Sequence, residues 1–254
     1  MIPAIRTGIW LHLKQFTRDP FDIAGTALWP ILYATIAYYL FDGKNDPELL
    51  LSASLGASVM LTWSMVVIAS SAALERQRWQ GTLELVVGAP VGLTTVITPI
   101  TVASGLIGIY ALVATLAWGS LLFGVPLDFA HPLAFGVSSL VCVVAVGMLG
   151  LIMAATFVLY RAAFHLGIAS QYPMWIATGL LMPLSILPVW VEPISWVLSP
   201  SWGFRAMKAA ALGGNPWPNV AMCVLLSVVY FVIGWACLRT FERVARGNAT
   251  LRLT

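Results

Sequence analysis

Charge is what this sequence has least of. Of its 254 residues only 9% are Asp, Glu, Lys or Arg, 60% are apolar, and the mean hydropathy is +0.91. A typical soluble domain is about 45–50% apolar and about 25% charged. A water-soluble core of this composition would leave apolar surface facing water, so the length divides into membrane spans of about 20 residues rather than into globular domains. Histidine is scarce too. His12, His131 and His165 are dispersed among loops and termini and no H-E-x-x-H occurs, which argues against a membrane protease or metal enzyme. The cysteines Cys142, Cys223 and Cys237 lie in apolar stretches without C-x-x-C spacing. They read as small buried hydrophobes, not as metal ligands or disulfide partners. No G-x-x-x-x-G-K-[ST] phosphate cradle is present, since Gly43-Lys44 lacks both the upstream glycine and the following hydroxyl; the chain is not expected to hydrolyse ATP alone. Its basic residues form no cluster of the kind that nucleic acid requires.

What is present is a series of charge-free intervals, and each bounds a span because an ionised side chain at the bilayer centre costs at least ~2.5–3.5 kcal/mol. Asp22 to Asp42 and Glu48 to Glu75 enclose the first two. Glu84 to Asp128 is too long for one span but is broken around Gly88, Pro90 and Gly92, so the third is placed at 95–123. His131 to Arg161, His165 to Glu192 and Lys208 to Arg239 enclose the rest. The expected fold is an all-α integral membrane domain over 1–254, with six spans at 22–41, 51–74, 95–123, 132–159, 166–187 and 216–238.

Six spans place both termini on one side. That side collects Arg6, Lys14, Arg18, Arg76, Arg78, Arg161, Arg239, Arg243, Arg246 and Arg252, and the other only Lys44, Arg205 and Lys208. The excess orients the first side, with both termini, toward the cytoplasm. Ile2, Ile5, Ile9, Leu13 and Phe16 recur at spacings of three and four, which predicts an interfacial helix over 1–18. The first apolar run begins only after Asp22 and is too long for the apolar core of a cleaved signal. At the far side, Trp190, Trp196, Trp202 and Trp217 gather as interfacial aromatics do. Pro183, Pro188, Pro193 and Pro200 forbid one continuous helix there, so 188–215 is expected to be a re-entrant region of short broken helices.

A carrier driven by protons or sodium usually places ionisable groups at mid-membrane, and these spans have none. Driving energy must then enter through the cytoplasmic loops, of which 75–90 is the most informative. Gly81 can end the second-span helix in a left-handed cap, Thr82 can cap a new short helix, and Glu84 sits favourably in its first turn. Leu83, Leu85, Val86 and Val87 are more apolar than a solvated loop needs; they suit a surface that docks into another protein or an interfacial helix without a partner.

In this loop the chain resembles the type-2 permeases of ATP-binding-cassette (ABC) exporters, which read E-R-E-x-x-x-G-T-L-E, then apolar residues and a proline. Glu75, Arg76, Gly81, Thr82, Leu83, Glu84 and Pro90 match, Gln77 stands where the family has an acid, and no lysine closely follows Pro90. The spaced prolines, aromatic and arginine that the family carries before its last span have counterparts in Pro183, Pro188, Trp190, Pro193, Pro200 and Arg205. The resemblance implies a half-channel in a bacterial cell membrane, without cofactor or catalytic site of its own. It would pair with a second permease copy or a related permease chain. Each permease would seat a coupling helix on a separate nucleotide-binding subunit, which holds ATP and Mg and drives the spans between two states.

The family mostly exports drugs, antibiotics, peptides, lipids or glycan precursors. Spans without charge favour hydrophobic or amphipathic cargo over an ion. Candidates for lining its path are Trp29, Tyr33, Met60, Trp63, Met65 and Met174, broad or flexible side chains that suit several ligand shapes. Each taken singly also suits packing against helices or lipid. An exporter of glycan or lipid-linked precursors and a membrane-embedded lipid-modifying enzyme are the alternatives; the second would need a catalytic cluster of acids or histidines, which is not found. Gly147, Gly150 and Ala154 offer a small-residue face for close helix contact.

Overall fold

In hydrocarbon every backbone N–H and C=O must be satisfied within the chain, which leaves a helical bundle as the natural answer to this sequence. The computed structural model describes residues 2–18, 20–41, 47–79, 81, 93–125, 127–159, 163–182 and 184–248. Among them are nine α-helices and one 3-10 turn, and no strand. They are α1 (Ile2–Phe16), α2 (Pro20–Phe41), α3 (Pro47–Trp79), α4 (Leu93–Phe123), α5 (Pro132–Leu159), α6 (Ala163–Ala177), the turn Leu184–Ile186, α7 (Val191–Val197), α8 (Ser199–Ala211) and α9 (Trp217–Asn248). Proline opens α2, α3 and α5, in the first turn, where a helix N–H has no intrahelical partner to lose.

Five of these helices, α2, α3, α4, α5 and α9, are long and apolar enough to cross a membrane. The remaining expected span, 166–187, is interrupted: α6 has 15 residues, about 22 Å of helix against a hydrocarbon core of ~30 Å. Its end is well defined. Gly179 takes φ +75°, its N–H donates to Ile176 O, and the Leu180 N–H donates to Trp175 O at 3.1 Å. This pair of bonds around a left-handed residue is a Schellman stop. The Thr178 hydroxyl, donating to Met174 O at 2.6 Å, reinforces it.

The long helix α3 is the centre of the bundle. It packs on α2, α4, α5, α6 and α8, and Leu55, Val59, Trp63 and Val66 join Val143, Val146, Met207, Tyr230 and Leu238 in one core. Close contacts are made by small groups. The Thr62 hydroxyl donates its one proton either to Ser58 O of its own helix at 2.8 Å or to Gly108 O across the α3–α4 contact at 3.1 Å. A Cβ on Gly203 of α8 would meet Cys142 Sγ of α5 at 2.6 Å. The expected small-residue face is looser, for a Cβ on Gly147 would stand 4.0 Å from Thr101.

Helix α1 lies against the start of α4, where a Cβ on Gly8 would meet Pro99 at 2.8 Å. Of its expected apolar stripe Ile9 and Leu13 turn partly inward, while the side chains of Ile2, Ile5 and Phe16 lie outside the described set. Trp10 and Leu11 remain exposed, and Lys14 Nζ sits 4.2 Å over the Trp10 ring.

Candidate functional site

Alternation of the helices gives the bundle two ends. One carries α1, the start of α2, the end of α3 and the start of α4; the other carries the 178–216 region. At the first end Glu75 and Arg76 occupy the last turns of α3, which stops at Trp79. Gly81 is exposed with φ +65°, the left-handed conformation that suits a helix-terminating glycine. Thr82, Leu83, Glu84 and Pro90 lie outside the described residues.

At mid-height the structure brings together a polar junction of three helices. The Ser64 hydroxyl, near the midpoint of α3, donates to Gln171 Oε1 of α6 at 2.9 Å or to Met60 O at 3.0 Å. Tyr33 Oη of α2 lies 3.2 Å from Ser64 Oγ. A serine has one proton to give; when it is directed at Gln171 or Met60, the tyrosine hydroxyl donates to Ser64 in turn. Trp175, one helical turn beyond Gln171, stands edge-on to Tyr33 at 5.9 Å and to Tyr172 at 5.3 Å. Gln171 is buried and Tyr172 exposed.

Of the path candidates, only Tyr33 lies in this junction. Trp29 is exposed on α2, and Met174 of α6 is half-buried against the core. Met60 and Trp63 are sealed inside the main core. Met65 packs in a smaller cluster with Leu61, Ile107 and Ala111, against which Leu13 and Tyr33 lie. Reading the spans for charge passed over Ser64, Gln171 and Trp175. Gln171 carried a signal all the same, as the lone amide in the uncharged run from His165 to Glu192.

The opposite end is built around α8, whose Pro200, Ala206, Met207 and Ala210 are buried. The N–H groups of Ala130 and His131 donate to Ala211 O and Ala210 O, both at 3.1 Å, which joins the loop before α5 to the end of α8. Arg205 Nη2 donates to Ser195 Oγ at 3.3 Å and its guanidinium lies 5.0 Å from the centre of the Trp202 ring. Trp202 Nε1 donates to Trp196 O at 2.8 Å, and the Tyr230 hydroxyl donates to Val197 O. Pro188, Trp190 and Pro193 are exposed, and Pro183 lies outside the described residues. A hollow of about 720 Å³ lies between 130–134 and 213–217. A second, of about 550 Å³, is lined by apolar side chains of α4, α5 and the loop between them, with Ser139 as its one hydroxyl.

Five long apolar helices packed around an uncharged polar junction define a multi-pass membrane protein. The family model described as ABC-2 type transporter matches residues 3–212, and the chain belongs to that family. Comparison with curated proteins gives no significant match. Family membership makes this chain a permease component of an ABC transporter, a membrane part that is not itself catalytic and that works with an ATPase subunit.

Proposed function

We propose that this chain is the permease of an ATP-driven exporter that moves a hydrophobic or amphipathic small molecule out of the cytoplasm of a bacterial cell. Two permeases, a second copy or a related chain, form the channel. The segment 75–90 couples each to its ATPase, α1 lies in the cytoplasmic interface, and both termini face the cytoplasm. α6 with residues 178–187 completes a sixth crossing, and α7 and α8 dip into the outer leaflet. The observation that carries this reading is the family match over residues 3–212, which includes the whole of 75–90. Cargo class is supported by the Tyr33–Ser64–Gln171 junction, where recognition depends on neutral hydrogen bonds and aromatic faces, with no side chain to balance an ion. We place the path along α2, α3 and α6, where Tyr33 is the path candidate with a polar partner.

Gly81→Pro or Glu84→Ala should leave the protein inserted but lower cargo-stimulated ATP turnover in vesicles holding permease and ATPase. Wild-type turnover and transport in both variants would remove 75–90 from coupling. For orientation, Thr82→Cys should resist an impermeant thiol reagent in intact cells while Asn45→Cys reacts; the reverse pattern would invert the topology.

A further inference from the structure

The hollow of about 550 Å³ between α4 and α5 has its origin in two small residues. Ala117 of α4 and Gly136 of α5 both line it, and a Cβ on Gly136 would meet nothing within 4 Å, so the two helices part where larger side chains would fill the gap. The hollow lies within the membrane, because apart from Leu127 and Phe129 of the connecting loop its walls belong to the spans Thr98–Phe123 and Pro132–Met153. Val113 and Leu140, which line it, are 57% and 56% exposed, and Val137 and Val144, a turn to either side of Leu140, are exposed as well. It is thus a groove continuous with the apolar surface that these spans turn to lipid.

Its depth selects the occupant. The lining runs about 16 Å along α5 from Pro132 to Val143 and about 21 Å along α4 from Phe123 back to Ile109. That is close to one leaflet, ~15 Å of hydrocarbon and ~20 Å with its headgroups. A helix of a second copy would cross both leaflets, whereas an acyl chain ends at mid-membrane. A chain that leaves lipid for the groove gains packing contacts but no hydrophobic transfer, so a preference among lipids must come from the headgroup. Asp128 stands between the lining residues Leu127 and Phe129, is exposed, and is the one charged residue between Glu84 and Arg161. We propose that the groove seats one acyl chain of a phospholipid whose headgroup carries an ammonium group, drawn to the Asp128 carboxylate at the rim. Such a seat needs only the membrane spans and holds whatever the chain transports.

The test places the whole chain in lipid nanodiscs doped with phosphatidylethanolamine or phosphatidylglycerol, each carrying a photoactivatable diazirine midway along one acyl chain, and maps the adducts by peptide mass spectrometry. With the ethanolamine lipid, adducts on 109–117 and 135–143 should exceed several-fold those on 224–232 of α9, a stretch that also exposes apolar residues. The glycerol lipid should label the groove about threefold less, the value of an exposed ion pair, and Asp128→Asn should erase that difference. Gly136→Leu should clear the groove of label and leave 224–232 unchanged, which also reports that the variant has folded. Equal labelling of the groove and α9 in the unsubstituted chain overturns the seat. So does a bare groove beside a labelled α9, as a second copy lodged there would give. These two readings stand even if Gly136→Leu fails to insert. Equal use of the two lipids, or a preference that survives Asp128→Asn, overturns the headgroup assignment.

Discussion

Helices α3 and α9 are nearly equal in length, 33 and 32 residues, yet they occupy opposite places in the bundle. The apolar stretch Glu48–Val67 of α3 has mean hydropathy 1.7 and 83% of it is buried, while Trp217–Thr240 of α9 has 2.4 and only 28% is buried. The greasier helix is the outer one. Lipid accepts Leu225, Val228 and Val232 of α9 without penalty, all three more than half exposed, so hydrophobicity does not sort helices inward as it does in water. What α3 offers its neighbours is small polar residues, two of which, Thr62 and Ser64, reach partners on other helices. Ser54, Ser58, Thr62 and Ser64 are buried there, and facing hydrocarbon Thr62 and Ser64 would lose their partners on α2, α4 and α6.

Substitutions in these two helices test that contrast. The largest effect is expected from Trp63→Ala, which empties a core site that is 2% exposed and should cost about 3 kcal/mol or more through the cavity left behind. Trp235→Ala on α9 removes a half-exposed ring 3.8 Å from the Arg239 guanidinium and should cost less than about 1 kcal/mol. Unfolding titrations in mixed micelles would measure both, and equal losses would dissolve the contrast. Next comes Gly203→Val, where the α8 backbone lies against Cys142 of α5. Overpacking should cost about 1–3 kcal/mol, and Cys142→Ala in the same chain should recover part of it; a tolerated valine would show that α8 is not held there. A smaller effect belongs to Thr62→Val, which removes a hydroxyl shared between Gly108 O of α4 and Ser58 O of its own helix and should cost about 0.6 kcal/mol. Thr240→Val on α9 removes a bond only to its own helix, at Ala236 O, and should be near zero by the same titration.

Charge made the helices legible before any coordinates. The interval from His131 to Arg161 holds α5, and that from Glu84 to Asp128 holds α4. Charge has nothing to say where neutral groups decide the outcome. Residues 166–187 are uniformly uncharged, yet the helix stops at Ala177 because Gly179 adopts a conformation that composition does not reveal. The polar junction was missed for the same reason, since Ser64 and Gln171 carry no charge and meet only when α3 and α6 are packed. Gly203 gave no periodic signal, because its role depends on the separate helix that carries Cys142.

One difference among the helices bears on motion. α2, α4 and α6 each carry an interior proline, Pro30, Pro99 and Pro173, and each proline forfeits a backbone bond and leaves a natural joint. α3 has proline only at its first residue, Pro47, and so forms an unbroken shaft of about 50 Å. Between Pro47 and Trp79 it has none of the proline joints of its neighbours. Toward its other end Gly56 is seated against the carbonyl of Leu180 just past the α6 stop, so under the coupling proposed above a stroke entering near Trp79 would reach the α6 stop along a rod without a proline joint.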